Sequence, residues 1–211
     1  MKDLKRFLTE SSNNKKFILT DETKVVNGKT LYRIKALKSF SNVKAGDLGG
    51  WIEKEDNLSQ EGNCWVGGDA CVFNNAIVYD DAQVYGKAQV YGFAKVYDKA
   101  KVYNDAKVHC HRGEDAQVYG NAQIYFSADI YGDGHVYDNA KVYDDAEVYG
   151  GEVYGDAEVF NYAHVMDNAK VYGNAKVYHH ATICDNGKVY GNAEVYRDAV
   201  VKNEVKTGKI K

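Results

Sequence analysis

A histidine held beside a carboxylate is the minimum for a general base. The chain has 6 histidines. His109, His111 and His164 fall in one stretch with Asp129 and Glu147, and Lys107 and Arg112 stand next to the first two. Such a set could deprotonate an acceptor hydroxyl or amine, with His109 or His111 as base and Asp129 or Glu147 as the group that orients it. The competing reading is ordinary surface polarity in variable positions. A metal centre from His109, Cys110 and His111 is disfavoured, because adjacent residues on a strand point to opposite faces. His179-His180 falls at a corner, where polar residues are routine. Whether the candidates meet depends on the elements that carry them.

Those elements are copies of one unit. From Cys64 to Val201 the chain repeats Ala-x-Val-Tyr plus two turn formers, 23 times. A fixed short period governs the fold. On a strand, Ala and Val share one face, and x and Tyr the other. The slot before x is Ala in 19 copies, with Cys64, Gly134, Gly151 and Gly187 as exceptions. The slot after x is Val in 20 copies and Ile at Ile124, Ile130 and Ile183. This small, apolar side is the buried one, while Gln, Lys, Glu, Asp, His and Thr in the x slot mark the wet side. Pairs such as Asp80-Asp81, Gly120-Asn121, Asp138-Asn139 and Gly191-Asn192 suit sharp corners. A four-residue strand is not stable alone. It becomes stable if the chain winds, so that each strand pairs in parallel with its copy one lap later.

Hexads of this kind resemble the hexapeptide repeat of left-handed parallel β-helices. In that family three hexads close one triangular coil, which here implies an all-β prism of nearly eight coils, roughly 35–40 Å long. The leader LTDETKVVNGKTLYRIKAL, then VKAGDLGGWIEKEDNLSQEGNCWV, followed by hexads of the NAKVYGNA type, is similar to the YdcK-like hexapeptide-repeat proteins of bacteria and prophages. The wider superfamily contains acetyl- and acyltransferases, usually homotrimers with a catalytic His and acyl-CoA bound between subunits. For this chain the resemblance implies a left-handed parallel β-helix and, if it is an enzyme, acetyl-CoA or another acyl-CoA as cofactor.

With three hexads per coil, residues about eighteen apart become stacked neighbours. The first face then aligns Tyr79, Tyr97, Tyr119, Tyr137, Tyr154, Tyr172 and Tyr190. The second aligns Tyr85, Tyr103, Tyr125, Tyr143, Phe160, Tyr178 and Tyr196. The third reads Phe73, Tyr91, His109, Tyr131, Tyr149, Met166 and Cys184, a ladder broken at its three non-aromatic or His positions. The x slots of the third face run Cys71, Gln89, Lys107, Asp129, Glu147, His164 and Thr182. Asp129 and Glu147 would lie about 5 Å apart and repel unless a cation or His164 compensates. The ring ladders and the Asp129–Glu147–His164 patch are the candidate binding surfaces; the alternative for the ladders is that the rings pack on one another. Only Thr182 occupies an x slot as Thr, which disfavours a flat ice-binding face.

The leader breaks the hexad rule. Residues 1–14 read as a polar segment with a short helix over 1–10. Residues 15–63 read as a β cap, with Phe17–Leu19 as a strand and a hairpin turning at Asn27-Gly28. A cap is needed because the end of a β-helix exposes unpaired strand edges and an open core. Residues 64–201 form the helix proper. Cys110–Asp115 carries four surplus residues and should bulge, and the corner between Val148 and Val153 is one residue short. Residues 202–211 read as a Lys-rich tail, either a thin C-terminal cap or disordered.

The formal net charge is −3 and no basic groove accompanies the rings, so nucleic acid is not an expected partner. Charge is nonetheless uneven: residues 113–160 hold eleven acids and one Lys. Lys141–Glu158–Lys176 and His135–Glu152–Lys170 should offset part of it as cross-strand pairs. The 4 cysteines lack metal-type spacing, and no signal peptide or membrane-spanning apolar run is read, so a cytoplasmic setting is expected. So few departures from the repeat favour a non-catalytic scaffold or binding protein, possessing no cofactor, that engages a protein partner or its own copies. A prophage factor that binds a host component is a special case. The acyl-CoA-dependent acyltransferase implied by the resemblance is the alternative.

Overall fold

The computed structural model describes residues 15–211. The helix expected over 1–10 lies outside them. Apart from one 3-10 turn at Glu55–Asn57, the described chain is all β.

Each hexad makes one short strand and one corner. Gln83 and Val84 pair in parallel with Lys101 and Val102, and these with Gln123 and Ile124. One lap therefore returns a residue above its counterpart three hexads on. Three parallel sheets result, one per face. The Ala and Val positions from Ala70 to Val195 are closed to solvent and merge into one continuous core. Each buried Val should contribute roughly 1.5–3 kcal/mol. The corners use left-handed backbone at Asp80, Asp98, Asp138 and their equivalents, which Asp and Asn tolerate.

The cap grows into the solenoid without a break. β1 (Phe17–Val26) and β2 (Lys29–Ala36) form an antiparallel hairpin whose turn, Asn27-Gly28, has φ of 50° and 75°. The expected two strands before that turn are one long strand with an irregularity between Leu19 and Thr23. β3 (Leu48–Ile52) pairs antiparallel with β2 and parallel with Cys71–Val72, so a single strand converts one topology into the other. Lys16 locks the junction. Its buried Nζ donates to the carbonyls of Glu61, Gly62 and Cys64 at 3.0–3.3 Å.

The solenoid is longer than the hexads alone suggest. Counting β3, two faces carry nine parallel strands each, and the third carries eight plus a Leu58–Val78 bridge. This is about nine turns, not nearly eight. The tail is part of it: Glu204–Val205 pairs with Lys188–Val189, and Lys209–Ile210 with Glu194–Val195. Val205 and Ile210 still supply an aliphatic residue at the inward position, although the Ala-x-Val-Tyr spelling has gone.

Candidate functional site

The third face places the candidate residues as rungs of one sheet. Lys107 pairs with Asp129, Asp129 with Glu147, and Glu147 with His164. Asp129 Oδ1 lies 3.2 Å from His109 Nε2, and Glu147 Oε2 lies 3.5 Å from His164 Nδ1. Glu147 also accepts a 2.9 Å hydrogen bond from the Tyr131 hydroxyl. Two carboxylates on adjacent rungs are thus each given their own histidine.

His109 does not break the third ladder, as its type suggested. An imidazole is planar, so it takes the ring slot: it stacks on Tyr91 at 4.6 Å and 4°, and on Tyr131 at 5.5 Å and 9°. The ladder runs Phe73, Tyr91, His109, Tyr131, Tyr149 before ending at Met166. His109 and Asp129 follow a pattern found along the prism. A ring on one rung reaches the x residue of the next, as Tyr97 does to Gln117 (2.8 Å), Tyr137 to Glu152 (3.1 Å) and Tyr178 to Glu194 (3.3 Å). His109 differs in one respect. Asp129 Oδ1 is closed to solvent and has no aligned hydrogen bond, only the 3.2 Å contact with Nε2.

His111 lies apart from this pair. It starts the surplus loop, where its N–H donates to Glu114 Oε2 at 2.7 Å and its carbonyl accepts from Glu114 N–H at 3.2 Å. The loop is a closed turn beside a depression lined by Phe93, Cys110, His111 and Arg112. Cys110 is buried while His109 faces outward, and among the described residues no three His, Cys, Asp or Glu side chains converge as a metal site would need. The short corner is absorbed at Gly150-Gly151. There Tyr149 tilts 25° from Tyr131 to lie over Gly132, whose missing Cβ would stand 2.5 Å from the ring.

The two other ladders are complete. Tyr119, Tyr137, Tyr154 and Tyr172 stack at 4.8 Å with tilts of 3° or less, and Tyr125, Tyr143, Phe160 and Tyr178 at 4.9 Å. Ring faces inside a ladder are spent on each other; only edges and hydroxyls meet solvent. Burial, with neighbouring rings and acids, pushes Tyr97 and Tyr125 up to about 12. Tyr131 is pushed up to about 12 by burial and by its hydrogen bond to Glu147. The Lys141–Glu158–Lys176 ladder forms, with Glu158 3.6 Å from Lys141 and 3.3 Å from Lys176; in the other, Glu152 sits 2.7 Å from Lys170, but His135 turns to Asp115 instead, its Nε2 2.7 Å from the Asp115 carbonyl.

Over a 36-residue segment the chain is 53% identical to "Uncharacterized acetyltransferase YdcK" of Escherichia coli (strain K12). The match is consistent with the architecture that the parallel coils above give. The chain is a hexapeptide-repeat β-helix. The matched segment covers 17% of this chain and 11% of that protein's length. No protein-family model matches the chain.

Proposed function

We propose that this protein is an acyl-CoA-dependent acyltransferase whose general base is His109, oriented by Asp129. The observation that carries the reading is the solvent-closed Asp129 Oδ1, 3.2 Å from His109 Nε2. The segment shared with a protein described as an acetyltransferase points the same way. Nδ1 of His109 has no partner among the described residues and is the atom available to a substrate. It takes the proton of an acceptor hydroxyl or amine. The acceptor oxygen or nitrogen then attacks the thioester carbonyl, the C–S bond breaks, and the imidazolium returns its proton to the departing thiolate. Asp129 holds the ring and stabilises the imidazolium between these steps. The depression beside His111 holds only about 300 Å3, so the acyl-CoA lies against a face shared between copies, in a cytoplasmic homo-oligomer.

A second reading has its own support: two seven-ring ladders and nearly flush corners suit a non-catalytic scaffold that engages a protein partner or itself. Calorimetric titration with acetyl-CoA, followed by an assay for released thiol, separates the two. Saturable binding with slow thiol release supports the enzyme. Absence of both at millimolar acetyl-CoA leaves the scaffold.

A further inference from the structure

Interior rings of the ladders are covered on both faces, but a ladder has ends. The second-face ladder starts at Tyr85, which stacks on Tyr103 at 4.9 Å. On the preceding rung, Trp65 pairs with Gln83 and Val66 with Val84. The aromatic slot above Tyr85 therefore falls to Gly67, and among the described residues no ring stacks on that face of Tyr85. Tyr85 is 40% exposed. That face opens into a depression of about 730 Å3, walled by cap residues Ser41–Val43 and reaching Lys99 and Lys101 on the next rung.

The charges there are unevenly committed. Asp81 Oδ1 accepts from the backbone and side-chain N–H of Asn63, and Asp47 Oδ2 from the Lys44 N–H. Lys99 and Lys101 have no side-chain partner among the described residues. The depression thus offers an open stacking position beside the Trp65 ring and two ammonium groups without a side-chain partner, facing two carboxylates held by N–H donors.

We propose that it binds a nucleoside phosphate, the base filling the slot that Gly67 leaves vacant and the phosphates meeting Lys99 and Lys101. Every base has a π-face to lay on a tyrosine ring, and lysine serves phosphate as a point charge. A single nucleotide needs only these local cations, so the net charge of −3 does not oppose it. The site lies on a different face from His109 and Asp129, and the ADP arms test it without the acyl chemistry.

The test is calorimetry with ADP, with pyrophosphate and adenosine as separate arms. Gly67→Phe supplies a ring of the protein's own: the backbone there is ordinary, and the nearest atom an added Cβ meets is on the Trp65 ring, at an ordinary contact distance of 3.6 Å. The expected result is ADP binding by the wild type, lost in Gly67→Phe, and weakened at least roughly tenfold in the Lys99→Gln/Lys101→Gln double variant. Thermal melts of both variants should match the wild type. No ADP binding, ADP binding unchanged in either variant, or pyrophosphate bound as tightly as ADP would overturn the proposal. Should Gly67→Phe fail to fold, the lysine variant and the pyrophosphate arm decide.

Discussion

The His109 ring stands in the same ladder as Tyr131, and each reaches the acid on the following rung: His109 to Asp129 at 3.2 Å, Tyr131 to Glu147 at 2.9 Å. A structural slot and a candidate base thus coincide in one side chain. This coincidence allows stability and chemistry to be separated by choice of substituent.

His109→Tyr should fold normally, because tyrosine fills this slot on neighbouring rungs and its hydroxyl can donate to Asp129. His109→Ala removes a ring from a continuous stack and should cost about 1 kcal/mol or more. Urea denaturation of the two variants checks the ordering. A larger loss in His109→Tyr than in His109→Ala would contradict the ladder account.

The tyrosines predict an alkaline weakness. Tyr97, Tyr125 and Tyr131 are raised from 10.0 to about 12, so the folded state holds protons that the unfolded chain gives up. Their contribution is complete below pH of about 10 and is lost as pH rises towards about 12. Phenolate absorbance and far-UV circular dichroism should therefore change together in that window. Tyrosine ionisation completed near pH 10 with the β signal intact would contradict this.

At acid pH the charge ladders matter. Burial alone would raise Glu152, but the Lys170 ammonium at 2.7 Å outweighs it and holds the carboxyl below its usual range. A lowered pKa stabilises above the unfolded value of about 4.3, and that contribution disappears as pH falls through the folded value. Glu152→Gln should thus be less stable than wild type at pH 7, by about 0.2–1 kcal/mol for so exposed a pair. The difference should vanish in strong acid. Denaturation midpoints at pH 7 and pH 3 measure it.

The cap junction is tightly packed. A Cβ on Gly49 would lie 2.5 Å from the Trp65 ring and 2.6 Å from both Ile34 and the Val66 carbonyl. Gly49→Ala must push β3 away from the first rung, at a cost of about 1–3 kcal/mol. Gly28→Ala meets nothing within 4 Å, though its positive φ carries a smaller conformational penalty. A thermal melt in which Gly49→Ala is the milder of the two would contradict the packing.

Much of this was legible in the residues. A repeated Ala-x-Val-Tyr marks Val84 and Val102 as buried, and the three-hexad lap that the resemblance implied stacks Asp129 on Glu147. What was not legible needed a third dimension. His109 reads as a gap in an aromatic row until its ring is seen lying flat between Tyr91 and Tyr131. The tail escapes notice because Val205 and Ile210 keep the inward position after the hexad spelling has ended. The depression at Gly67 depends on where the cap residues Ser41–Val43 fold back, and no local pattern fixes that.

The most direct test of the account is thiol release from acetyl-CoA by wild type, His109→Tyr and Asp129→Asn, each shown by its melt to be folded. The account predicts turnover by the wild type, none above background for His109→Tyr, and a reduced rate for Asp129→Asn. Equal turnover by the wild type and His109→Tyr, or none by the wild type, would contradict it.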